Sequence, residues 1–127
     1  MYSLNVPAGC PVQLTATAGV AVDTHRWVAR VFAGDDQALG LTPRLSYGSR
    51  IGGLDREQHV EIPAQDVDCT LEVGASHRNG NRWDEDQSFV SSDTPSLLTL
   101  EFGAGRSSAA HEDDIRLSFQ FTPIQEA

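Results

Sequence analysis

Trp83 stands among oxygen- and nitrogen-rich side chains: Asn79 and Asn81 precede it, and Asp84, Glu85 and Asp86 follow. An indole beside amides and carboxylates suits a saccharide, because a sugar ring offers C–H groups on its face and hydroxyls on its edge. Asn79-Gly80 favours a two-residue hairpin turn. A turn centred on that pair sets Arg78 opposite Asn81, His77 opposite Arg82 and Ser76 opposite Trp83. Opposed residues share a face, so Trp83 joins the polar side with Ser76 and Arg78. Continuing the ladder would place Asp84 against Ala75 and Asp86 against Val73, on the apolar side, where unpaired carboxylates are costly. The ladder is therefore expected to break near Asp84 and to leave the three acids in solvent beside the indole. The expected ligand-binding set is Trp83, Asn79, Asn81, Asp84 and Asp86. The bland alternative is a Trp folded over the end of a sandwich, with acids that only solubilise a loop.

Acidic groups recur at Asp35-Asp36, Asp66-x-Asp68, Asp84-Glu85-Asp86 and Glu112-Asp113-Asp114. Calcium takes several oxygen ligands at once, from carboxylates, carbonyls and water. The last group ends a long stretch, Gly103 to Asp114, between two strongly alternating segments, and such a loop is often functional. Glu112, Asp113 and Asp114 are the candidate metal ligands, with Glu101 as a further donor. An acidic run just before an apolar final strand resembles the calcium loops of some bacterial β-sandwich lectins. There Asp and Asn alternate, whereas here the preceding residues are Ser107-Ser108-Ala109-Ala110-His111. The likeness spans a few residues and identifies no family. The alternative is a solvated acidic loop.

No catalytic residue is nominated. His25, His59, His77 and His111 are dispersed, without the spacing of a zinc site, and are expected at the rim or surface. Cys10 and Cys69 are far apart and are expected to be separate and reduced. No nucleophile elbow, phosphate loop or dinucleotide fingerprint occurs. Glycosidase chemistry needs two opposed carboxylates, and no pair stands out.

The elements that must position these residues are short. Alternation marks Tyr2–Val6, Val12–Thr17, Val20–Val22, His59–Ile62, Cys69–Ser76, Leu97–Phe102 and Ile115–Phe121 as strands with one buried face, and Leu45 with Tyr47 as a shorter one. His25–Phe32 carries apolar groups on both faces, which predicts a central strand covered on both sides apart from Arg30. Helical periodicity is missing. About eight short strands separated by turns predict an all-β fold, an antiparallel, jelly-roll-like β-sandwich forming one domain over 1–127. Leu14, Trp27, Ala29, Val31, Leu71, Val73, Leu98, Leu100, Leu117 and Phe119 form the expected core.

Charge limits the partners. In 127 residues, 9 basic side chains, all Arg, face 18 acidic ones, a net charge of −9. Such a surface repels nucleic-acid phosphates and anionic membranes, and nothing suggests membrane insertion. The first 15 residues lack the charged and apolar regions of a signal peptide, so the expectation is a cytoplasmic protein or one released without a classical signal. The leading functional reading is a lectin-like binding module for carbohydrate or another neutral polar ligand, with calcium as its candidate cofactor. The second is a protein–protein interaction or assembly subunit, self-associating through edge strands or a face carrying Trp27 and Phe32. A small hydrolase or lyase using a His–carboxylate pair is the third.

Overall fold

In the computed structural model, the described residues are 2–18, 25–51, 57–79, 81–85, 87–94, 97–103 and 115–121. They form ten strands and no helix: β1 (Tyr2–Val6), β2 (Val12–Ala18), β3 (His25–Ala33), β4 (Leu45–Ile51), β5 (Glu57–Ile62), β6 (Cys69–Asn79), β7 (Arg82–Glu85), β8 (Gln87–Thr94), β9 (Leu97–Gly103) and β10 (Ile115–Phe121). Two antiparallel sheets result. The first runs β1-β6-β3-β4, with β7 also paired to β6; the second runs β5-β2-β10-β9-β8. The chain crosses between the sheets five times, after β1, β2, β4, β5 and β7.

Alternation explains the packing. In β2 every odd step turns inward, and Val12, Leu14, Ala16 and Ala18 are buried. From the facing sheet, Trp27, Ala29 and Val31 of β3 and Leu71, Val73 and Ala75 of β6 meet them. Leu98, Leu100, Phe102 and Phe119 complete a single core cluster. The expected core is thus found, except that the Leu117 side chain lies outside the described set.

Several expectations change. The Val20–Val22 run lies outside the described residues. β3 is central, but its outer face is open: Arg26 is exposed and Val28 and Arg30 are half-buried, because among the described residues no second layer covers that side. Trp27 and Phe32 are both buried, at 3% and 7% exposure, so they form no docking face. His25 is buried within β3 rather than at the rim. β8 was not expected; its sequence, Gln-Ser-Phe-Val-Ser-Ser-Asp-Thr, is too polar for alternation to reveal, and its pairing to β9 shifts register between Val90 and Ser92. Cys10 is half-buried and Cys69 buried, and no disulfide joins them.

Gln58 closes one side of the sandwich. From β5 its amide accepts a hydrogen bond from the Trp27 indole N–H at 2.7 Å and donates to the Arg50 carbonyl on β4 at 2.8 Å. One side chain thereby joins the edge strands of both sheets.

Candidate functional site

The hairpin from β6 to β7 pairs Asn79 with Arg82, Arg78 with Trp83, His77 with Asp84 and Ser76 with Glu85. The register expected from Asn79-Gly80 is therefore off by two, because residues 80 and 81, not 79 and 80, lie between the paired strands. A slip of two preserves the faces, and Trp83 does share the outer side with Ser76. The expected break falls later. Asp84 and Glu85 belong to β7 instead of a loop, and the chain passes to the second sheet between Glu85 and Gln87.

Register also assembles the site around Trp83. On the outer face, one row reads Glu85–Ser76–Arg26–Arg50 across β7, β6, β3 and β4. The next row reads Gly74–Val28–Gly48. The row beyond is Glu72–Arg30–Ser46. The middle row has glycine on both sides of a half-buried valine, so the sheet is bare there while long side chains rise on either side. The outcome is an open trough of about 550 Å³ whose rim includes Trp83, Arg26, Arg50, Arg30, Ser76 and Glu85.

Gly48 belongs to this floor for a second reason. A Cβ at that position would meet the Trp27 carbonyl oxygen at 2.8 Å, so β3 and β4 approach as closely as they do only around a glycine.

Trp83 is half-buried. The Arg26 guanidinium lies over its ring, 4.5 Å from the centroid, and that of Arg50 at 5.5 Å. Arg26 Nε also donates to Ser76 Oγ at 3.0 Å. At the other end, Arg30 bonds Glu72 at 3.0 Å, and Gln37 donates to the second oxygen of the same carboxylate. Arg30 is thus neutralised within the fold.

Asn81 is exposed in the turn. Asn79 and Asp84 lie in β6 and β7, but their side chains are outside the described set, and Asp86 is outside it altogether. Glu112, Asp113 and Asp114 likewise fall outside. Among the described residues no three His, Cys, Asp or Glu side chains are grouped to hold a metal. Glu101 is buried in β9, at 8% exposure. His25 and His59 do not line the trough. His59, exposed on β5, lies 3.1 Å from Thr15 Oγ1 and 3.3 Å from Glu57.

Arg26, Arg30 and Arg50 were missed at the sequence level. Arg30 stood out only as an exception in an apolar run, and nothing local aligns Arg26 with Arg50. A cross-strand pair appears only once register is known.

No family model matches the sequence. No curated protein matches it either. Solved structures do. A lectin of Chromobacterium violaceum in complex with alpha-methyl-fucoside is similar over 97% of this chain and 96% of that one, at 14% identity and a TM-score of 0.51. A high-affinity mannose-binding lectin of Ralstonia solanacearum is similar over 97% and 96%, at 11% identity and a TM-score of 0.52. The chain shares their β-sandwich fold.

Proposed function

We propose that this chain is a non-enzymatic carbohydrate-binding module whose ligand enters the trough at Trp83. The observation that carries this reading is the indole itself, half-exposed beside a bare glycine-flanked floor and ringed by hydroxyl, carboxylate and guanidinium groups. A sugar ring laid along the trough meets C–H-binding surface and hydrogen-bonding edges together. The fold adds support, since it is shared with lectins whose ligands are a fucoside and mannose.

A glycan array probed with and without calcium tests the proposal, with Trp83→Ala as the partner experiment. The expected result is selective glycan retention that falls about tenfold or more in Trp83→Ala, the scale of a lost aromatic stack and its buried area. Retention unaffected by the substitution would move the site elsewhere. Calcium dependence would support a metal role, with the 79–86 segment or Glu112, Asp113 and Asp114 as its candidate ligands, and equal binding in chelator would remove it.

Self-assembly is the second reading. It is favoured by Val90 on edge strand β8 and Leu97 on β9, exposed at 50% and 37%. Sedimentation of the wild type against Val90→Lys distinguishes a dimer using that edge from a monomer.

A further inference from the structure

The carbohydrate reading names a sugar without its charge. Arg26 and Arg50 occupy directly opposed positions on β3 and β4. Like charges placed that way destabilise a sheet. Among the described residues neither is ion-paired: Arg26 bonds a serine hydroxyl, and both guanidiniums rest over the Trp83 ring. The fold neutralises Arg30 with Glu72 in the same trough, yet leaves these two together. The ring's π face offsets part of the repulsion and orients both planes. Glu85 lies in the same row, separated from Arg26 by Ser76, and engages a contact of its own. On a chain of net charge −9, two directly opposed guanidiniums, neither ion-paired among the described residues, concentrate positive charge locally.

We infer that the trough selects an acidic saccharide, with Arg26 and Arg50 clamping an oxyanion on the sugar while Trp83 stacks against its ring. Guanidinium is the group of choice for this task, because its planar fork bonds carboxylate or sulfate oxygens in pairs. The trough volume, about 550 Å³, has room for more than the anion alone. This inference rests on the proposed carbohydrate function and narrows it.

Calorimetric titration of the full chain tests it with four probes: a uronate-terminated oligosaccharide, its carboxyl-reduced counterpart, a sulfated oligosaccharide of equal length and a single-stranded oligonucleotide. The expected result is that the uronate binds about tenfold more tightly than the reduced sugar, as loss of a charge-assisted contact implies. Arg26→Gln and Arg50→Gln should each erase most of that difference, weakening the uronate far more than the reduced sugar. Arg26→Lys, which keeps the charge and loses the fork, should fall between. Arg44→Gln, remote from the trough and paired with Asp66 at 2.9 Å, should bind as the wild type does. Equal affinity for uronate and sulfated probes assigns an oxyanion clamp, and uronate preference assigns a carboxylate clamp; both support the inference. Equal binding of uronate and reduced sugar, unaffected by the arginine variants, overturns it and leaves the carbohydrate function intact. Preference for the oligonucleotide, or no binding of any sugar, overturns both. Thermal melts of each variant separate lost binding from lost folding.

Discussion

At the scale of single residues, one side chain outside the trough governs how firmly it is held. Gln58 accepts from Trp27 and donates to the Arg50 backbone, so it fixes both a core indole and the strand that carries one arm of the clamp. Gln58→Leu leaves a buried indole N–H without that acceptor, and urea unfolding should register a loss of about 1–3 kcal/mol. A loss near zero would mean that water replaces the amide. Cys69 is buried, and removal from solvent raises its thiol pKa above the ordinary range. The neutral thiol is therefore favoured in the folded chain. That preference contributes stability present in full below the unfolded thiol's pKa and lost as pH rises through the raised, folded value. At neutral pH, mass-resolved alkylation of the native protein should modify half-exposed Cys10 well before Cys69, the order collapsing in denaturant.

At the scale of elements, what could be read from the sequence followed directly from side-chain period. In β2, β6, β9 and β10 alternation marks Leu14, Leu71, Val73, Leu98, Leu100 and Phe119, and all are buried. β8 was not, since register shifts and serines conceal it. The indole's face was legible even though its register was off by two, because period-2 geometry makes even slips invisible to facing. The clamp was illegible for the complementary reason: Arg26 and Arg50 are 24 positions apart and meet only through the β3–β4 register. Glycine in a strand weakens it, so Gly48 reads as a defect until the Trp27 carbonyl is seen against it. Gly48→Ala should force β4 away from β3, with thermal stability and acidic-sugar affinity falling together. Lost stability with unchanged affinity would show that the clamp tolerates the displaced strand.

At the scale of the whole molecule, a cationic trough sits in an anionic surround. An acidic sugar approaches a net charge of −9 before it meets two arginines. Long-range repulsion is screened first as salt is added, because the Debye length falls from about 30 Å at 0.01 M to about 8 Å at 0.15 M. Stopped-flow association of an acidic oligosaccharide should therefore accelerate across that range, the reverse of ordinary steering. A monotonic fall would mean that the local field of the trough reaches well beyond its mouth. The shared edge of β6 has a consequence of another kind. β1 pairs with residues 69–73 and β7 with residues 76–79, so the two strands lie end to end along one side of β6. Within this sheet, the first strand can leave without unzipping the hairpin that carries Trp83. A synthetic peptide spelling Tyr2–Val6 and the remainder of the chain thus form a natural pair for fragment complementation, in which β-strand addition restores the missing edge and sugar binding reports that it has done so.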